Sequence, residues 1–425
     1  MNTEKPKGGQ DLFADKYVLY QNVFEKGEEI ASYYGFRPIQ TPHLEDLRTV
    51  SGGLNLISRS TEGNFFVTES EPSREMILRT EGTIGLMRAY IENEMYAMPQ
   101  PVMLWHKGSF FKKDGSAEGK LRETQEFGID MIGEPKPIGE ALVIQLLILI
   151  LKELGAGQTV VNINSTGDKE CKGEFKRKIL SHYKKNFSSL CKECKKNFKE
   201  NPTSVLDCRE SKCLEIKKNA PQAVDSLCPG CKQHFKEVLE FLDSNDINYF
   251  LNTGLVKKFD CYSRTVFEIV SEEEKGKDGS PLVLGSGARY DALSKAFGKK
   301  EFPSVGGRIN ADAVVALMES RNISPKYKRV PKIFLIQLSH SAKQKCMGVI
   351  EMFRKANIYI SQSINKDNLN SQLGIAARLN TPYVLILGQK ESLENSIIVR
   401  DMATGSQESV PIEKVVEVVK KKLKK

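Results

Sequence analysis

The sequence predicts an α+β unit built on an antiparallel sheet, a helical insertion inside that unit, and a C-terminal α/β unit. Three observations carry this reading. Strand-like and helix-like runs mix up to about residue 160 and resume after residue 245. Six of the nine cysteines fall between Cys191 and Cys231, in a lysine-rich stretch of helical periodicity. From residue 331 onward, short apolar strands alternate with helices. A length of 425 residues suits about three domains. The expected boundaries are 1–328 for an interrupted first domain, 168–245 for the insertion and 329–425 for the last domain.

Tyr20 to Tyr34 has apolar residues at helical spacing and stops before Gly35. Phe36 to Pro42 is extended, because each proline turns its predecessor away from the helical region. Ile84, Met87, Arg88 and Ile91 predict a helix over Thr83–Ile91. Val102–His106 and Phe127–Ile132 are strand-like, and Ala141–Leu151 reads as a buried helix. After the insertion, strands are expected at Tyr249–Leu251, Thr265–Val270 and Leu282–Leu284. The last domain predicts strands at Lys332–Leu338, Ile358–Ile360 and Tyr383–Leu387. Helices fall at Ser341–Lys355 and Leu369–Leu379. That alternation predicts a parallel sheet covered on both faces. A final helix places Ile412, Val415, Val416, Val419 and Leu423 on one face.

Composition excludes several classes. Apolar residues are 40% and charged residues 28%, which argues against overall disorder. The longest apolar run, Ala141–Leu151, is too short to span a bilayer, so no membrane partner is expected. The N-terminal segment lacks the apolar core of a secretory signal. Cysteines clustered locally do not suggest a secreted disulfide framework, so the expected compartment is the cytoplasm. A net charge of +9 favours a polyanionic partner.

Four segments carry candidate chemistry. In Leu78–Ala89, Thr80 is placed to cap a helix and Glu81 to sit at its positive end, where a carboxylate is favoured and a ligand ammonium can be held. Gly108–Asp114 and Gly119–Asp130 form two strands around a basic loop. Lys112, Lys120 and Arg122 can there grip a phosphate chain and offset charge on a transferring phosphoryl group. Leu255–Glu268 and Gly285–Asp291, followed by Pro303–Asn310, complete the set. Their glycines suit tight turns or close backbone approach. Each segment alone also fits a plain capped helix, a solvated hairpin or an ordinary turn.

Taken together and in this order, the segments resemble the histidyl-tRNA synthetase family over nearly the whole chain. Gly9-Gln-Asp-Leu12, Thr41-Pro42 and Glu45 are similar to the family's start and first class II motif. Leu78–Ala89 is similar to its LRPEGT segment, with Thr80 in place of proline. Phe111–Asp130 is similar to the second class II motif. Leu255–Glu268 is similar to RGLDYY-x-RTVFE, matching at Asp260, Tyr262 and Arg264–Glu268. Ser286–Asp291 is similar to AGGRYD. Residues from Val330 resemble an anticodon-binding domain, including Gln372–Ala377 and the closing strand Ile397–Asp401.

The resemblance implies a class II synthetase antiparallel-sheet catalytic domain. It implies ATP-dependent ligation of histidine to tRNA(His) through a histidyl-adenylate, with ATP and Mg2+, by a homodimer. Glu81, Thr83, Glu126, Asp130 and Tyr262 are then expected to bind the amino acid. Lys112, Lys120 and Arg122 are expected at ATP, with Lys112 and Lys257 as catalytic cations. Several positions depart from the family. Lysine stands for arginine at Lys112, Lys120 and Lys257. Glu126 stands for glutamine and Asp130 for glutamate. In the third motif, Gly306–Ala313 places Asp312 and Ala313 where the family has Glu-Arg. Lysine keeps the charge but loses the planar fork. A second reading therefore stays open at this point, a synthetase-like paralogue that binds tRNA or regulates without efficient aminoacylation.

The insertion holds Cys191-Lys-Glu-Cys194 and Cys228-Pro-Gly-Cys231, with Cys208 and Cys213 between them. Cys191, Cys194, Cys228 and Cys231 are spaced as ligands of a structural Zn2+, or they are reduced free thiols. His234 reads as a surface or packing residue. Lys172, Lys176, Lys178, Lys184 and Lys185 form either a contact for the tRNA acceptor arm or a solvated face.

Overall fold

The computed structural model describes residues 3–5, 8–49, 66–71, 74–113, 121–198, 205, 208, 210–255, 261–276, 279–323 and 331–424. The chain divides into two compact units, Met1–Pro325 and Lys326–Lys425.

The first unit is organised by an eight-stranded sheet. Its strand order is Arg37–Pro38, Val102–Lys113, Leu121–Ile132, Ser304–Asn310, Pro281–Arg289, Ser263–Lys275, Thr159–Ser165 and Tyr249–Leu251. The five interior pairings are antiparallel, and only the two short outer strands pair in parallel. One face is apolar. Phe127, Ile129, Val305, Ile309 and Phe267 pack there against helices Ala14–Tyr33, Ile138–Glu153 and Ala311–Ser320. Ile138–Glu153 lies in the middle of this core, with Leu146, Leu147, Ile150 and Leu151 fully buried. The expected buried helix is thus an interior helix of the domain. A smaller sheet, ordered Leu44–Asp46, Arg74–Leu78 and Val67–Glu71, flanks helix Gly82–Glu92. The bidentate pair between Arg88 and Glu45, at 2.9 and 3.0 Å, ties that helix to the sheet.

The insertion is helical, as its periodicity predicts, with helices Lys169–Lys185, Lys192–Asn197, Ser211–Lys218 and Pro229–Ser244. It has a small core of its own, built on Phe175, Ile179, Tyr183, Leu190 and Phe198. Its last helix behaves differently. Phe235, Val238 and Leu242 join the main core of the sheet domain instead.

The second unit has a five-stranded sheet ordered Ile360–Gln362, Ile333–Gln337, Tyr383–Leu387, Ser396–Asp401 and Gln407–Pro411. Apolar clusters cover both faces, as expected. The sheet is mixed, which corrects the all-parallel expectation. The first three strands are parallel and the last two antiparallel. The links after Leu387 and Asp401 are too short for the crossover that parallel pairing requires.

Candidate active site

Strand alternation assembles the site. Leu121–Ile132 pairs with Val102–Lys113 on one side and Ser304–Asn310 on the other. Residues directly opposite one another share a face. His106 and Arg308 both stand opposite Gly128, Gly306 opposite Asp130, and Lys112 opposite Arg122. The even-numbered side chains of these strands therefore share one face, while Phe127, Ile129 and Ile309 enter the core behind it. The pocket on this face is lined by Gly82, Thr83, His106, Glu126, Asp130, Tyr262, Tyr290 and Arg308, together with Ser286–Ala288 and Gly306–Gly307.

Glycine makes room for the polar groups. A Cβ on Gly82 or Gly128 would come within 2.3 or 2.4 Å of the His106 ring, and one on Gly306 within 2.0 Å of Asp130 Oδ1. All three glycines lie in a helix or in strands and serve close approach; for Gly306, this is the backbone approach that its segment predicts.

Asp130 is held from two sides. The Tyr290 hydroxyl donates to its Oδ1 at 2.6 Å, and His106 Nε2 lies 3.2 Å from its Oδ2. Glu126 is buried, and its Oε2 lies 3.4 Å from Arg308 Nε. No hydrogen bond among the described residues reaches that oxygen. Glu81 is the N-cap of helix Gly82–Glu92 but makes no side-chain capping bond; this corrects the expected Thr80 cap. Its carboxylate faces the pocket, 3.5 Å from the Tyr262 hydroxyl.

Charge sets the protonation tendencies. Burial pushes the Glu81 carboxyl up, and Arg308 and Lys112 pull it back. Burial lowers the Lys112 ammonium, with Arg308 adding to the effect and Glu126 opposing it. The charge of Glu126, foremost, raises Arg308. Burial and neighbouring carboxylates drive the Tyr262 and Tyr290 phenols well above their usual range, so both remain neutral donors.

The structure brings together Glu81, Thr83, Glu126, Asp130 and Tyr262, with Lys112 within electrostatic reach. Arg122 is exposed and pairs across the strands with Lys112. Lys120 and Lys257 lie outside the described residues. His106, Tyr290 and Arg308 are pocket groups that sequence reading did not assign to the amino-acid site. His106 looked like an ordinary strand residue, and only the register opposite Gly128 gives it away.

Behind the pocket, Arg289 and Glu140 are both fully buried. Nε and Nη2 of Arg289 lie 2.8 and 2.6 Å from the two carboxylate oxygens. His234 Nε2 lies 2.6 Å from Glu140 Oε1, and Arg264 Nη1 lies 3.3 Å from His234 Nδ1. His234 is thus a buried member of an ion network, which corrects its reading as a surface or packing residue. Arginine and histidine hold the Glu140 carboxyl below its ordinary range against the opposing effect of burial.

The cysteine pairs do not form one set of four. Cys191 and Cys194 group with Cys208 and Cys213, whereas Cys228 and Cys231 group with Asp168 and Cys171. This corrects the grouping of Cys191, Cys194, Cys228 and Cys231. The pairs cap different helices, Lys192–Asn197 and Pro229–Ser244, and each helix closes onto its own partners.

Residues 8–314 match the family model described as histidyl-tRNA synthetase. The chain belongs to the histidyl-tRNA synthetase family. Residues 332–422 match the anticodon binding domain model. The histidine–tRNA ligase of Desulforamulus reducens is 29% identical, over 99% of both chains. That of Desulfitobacterium hafniense is 30% identical, over 100% of this chain and 99% of its own length. Apo histidyl-tRNA synthetase of S. aureus superposes with a TM-score of 0.80 at 22% identity, over 98% of this chain and 99% of that one. The fold is accordingly the class II synthetase fold, with an antiparallel catalytic sheet and a C-terminal mixed α/β domain.

Family motifs now acquire positions. Ala313, at the third motif's arginine position, packs against the hydrophobic core. Asp312 accepts from the Tyr20 hydroxyl at 2.6 Å and from the Gln125 backbone N–H at 2.9 Å, tying the first helix to the second-motif strand. The cation that this segment does bring to the histidyl-tRNA synthetase pocket is Arg308.

Proposed function

We propose that the chain ligates histidine to tRNA(His) in two steps, forming histidyl-adenylate from ATP and then transferring the histidyl group. The observation that carries this reading is the acid-lined pocket on the antiparallel sheet of a histidyl-tRNA synthetase family member. Glu81, Glu126 and Asp130 supply three carboxylates, against the cations Arg308 and Lys112. This cluster of acceptors suits the ammonium of an amino acid. Glu81 is assigned to that ammonium. Tyr262 and Asp130 are assigned to the imidazole, because both line the pocket and offer oxygens that can accept from a ring N–H. Glu126, with an oxygen that lacks a hydrogen bond, offers a second acceptor. Thr83 lines the same wall.

Negative charge builds at the α-phosphate when the histidine carboxylate attacks it, so fixed cations contribute most there. Lys112, Arg308 and Arg122 are assigned that work, with Lys120 and Lys257 as further cations on the resemblance alone. Mg2+ is assigned to the ATP phosphates, the usual binding mode for this ion.

Residues 1–328 are read as the catalytic domain, 168–245 as its insertion and 329–425 as the anticodon-binding domain. The chain is further read as a cytoplasmic homodimer, since the Thr41-Pro42 segment matches the motif that builds class II dimers. No helix among the described residues is long and apolar enough to cross a membrane. Cys191, Cys194, Cys208 and Cys213 are read as a structural zinc site. Their sulfurs lie within 4.8 Å of one another, and Cys191 and Cys208 are 3.8 Å apart. Tetrahedral coordination with Zn–S bonds of about 2.3 Å requires sulfurs about 3.8 Å apart.

Charging of tRNA with labelled histidine tests the main reading, alongside histidine-dependent ATP–pyrophosphate exchange. Folded dimer that does neither with competent tRNA refutes it. The relatives named histidine–tRNA ligase match end to end, which favours catalysis over the regulatory alternative.

A further inference from the structure

A second metal-ligand cluster lies at the root of the insertion. Asp168 caps helix Lys169–Lys185, accepting backbone N–H bonds from Glu170 and Cys171. Cys228 caps helix Pro229–Ser244, and its sulfur accepts from the Cys231 N–H at 3.4 Å. These two helices enter and leave the insertion, and their first turns meet. The ligand atoms of Asp168, Cys171, Cys228 and Cys231 all lie within 4.8 Å of one another.

The spacing is that of first-row tetrahedral coordination. Asp168 Oδ2 is 3.2 Å from Cys231 Sγ and 3.6 Å from Cys228 Sγ. Bonds of about 2.3 Å to sulfur and about 2.0 Å to oxygen at a tetrahedral angle put sulfur and oxygen about 3.5 Å apart. The Cys228 N–H donates to Cys171 Sγ at 3.1 Å, which ties the two first turns together at the ligand atoms. Soft thiolates with one carboxylate select zinc. Four protein ligands leave no open position, so the site is structural.

We propose that Asp168, Cys171, Cys228 and Cys231 bind a second zinc ion, distinct from the four-cysteine site, that clamps the two ends of the insertion together. The clamp borders the amino-acid pocket. The ammonium of Lys172, next to Cys171, contacts the Tyr262 carbonyl. The Arg264 N–H donates to Gly167 O at 2.7 Å, and the Thr166 N–H donates to Arg264 O. Zinc at Asp168 and Cys171 therefore fixes the chain that carries Tyr262. Only this consequence rests on the histidine reading.

Elemental analysis of the full-length protein, purified under reducing conditions without chelator, is expected to find two zinc ions per chain. Cys171→Ser/Cys231→Ser and Cys194→Ser/Cys213→Ser should each retain one. Zinc content unchanged between the wild type and the first variant, or a wild type without zinc, overturns the proposal. Mass-mapped alkylation of the native wild type avoids dependence on folded variants. Cys171, Cys228 and Cys231 should resist alkylation until zinc is chelated. Alkylation that chelation does not change, or a Cys228–Cys231 disulfide, overturns it. For the clamp, removing this zinc should raise the histidine KM in pyrophosphate exchange about 10- to 100-fold. An unchanged KM refutes the coupling, whereas a wild type with two zinc ions and no histidine exchange refutes the ligase reading.

Discussion

Arg308→Ala tests the electrostatic design of the pocket. Arg308 Nε sits 3.4 Å from Glu126 Oε2, and the Glu126 side chain is 8% exposed against 33% for Arg308. Two unit charges at that distance attract by about 5 kcal/mol at an effective dielectric of about 20. Partial exposure of Arg308 and the missing hydrogen bond reduce this to a net coupling of about 1–3 kcal/mol. Arg308→Ala should therefore lower unfolding free energy by about 2–4 kcal/mol, because it strands a buried carboxylate. Glu126→Gln in the same chain should recover the coupling, leaving the double variant more stable than the sum of the two single losses. Urea denaturation of the four proteins measures this cycle. Histidine-dependent pyrophosphate exchange should fall about 10²–10³-fold in Arg308→Ala, the usual loss of one donor to developing charge. A coupling below about 0.5 kcal/mol, within ordinary additivity, refutes the proposed pairing. Unchanged exchange refutes the role of Arg308 as a pocket cation.

Arg289→Met should cost about 3–5 kcal/mol in urea denaturation, since it leaves Glu140 buried without its bidentate partner. In the wild type the folded Glu140 titrates below its unfolded value of about 4.3. Its contribution to stability is thus complete above that pH and lost as pH falls through the folded pKa, which urea midpoints measured down to about pH 3 should reveal as a decline. Gly128→Ala should push a methyl into His106, displace Asp130 and lower histidine exchange at least about 10-fold; normal exchange would show that the imidazole is not confined. Filter binding of tRNA should weaken linearly in log–log form as salt rises, as expected for lysine–phosphate contacts, and a flat response would remove the polyanion reading of the +9 charge.

Much of the site was legible as residue type and order. Glu81, Glu126, Asp130 and Tyr262 were singled out from three segments scattered over about 180 positions; the last three line one pocket, and Glu81 meets the Tyr262 hydroxyl at its edge. His106 and Tyr290 were not legible as partners of Asp130. Their roles depend on cross-strand register and on glycines whose missing side chains leave space, and neither shows in local spacing. His234 misled for the same reason. A histidine on an amphipathic helix looks alike whether its face meets solvent or Glu140. The cysteines were visible as pairs, but the pairs alone do not say which of them meet.

The sequence by itself carried much of the alternation of strands and helices, the helical insertion, the basic surplus and the residue types expected at an amino-acid and ATP site. Periodicity and local chemistry are short-range properties, so they survive in a one-dimensional reading. Tertiary structure alone decided which charges face one another. Pairing Leu121–Ile132 with Ser304–Asn310 set Arg308 against Glu126, turned Ala313 into the core and gave Asp312 a structural bond to Tyr20. Closing the insertion brought Asp168 and Cys171 to Cys228 and Cys231. The Coulomb energy of a charge pair depends on separation in space and on burial, and sequence distance sets neither.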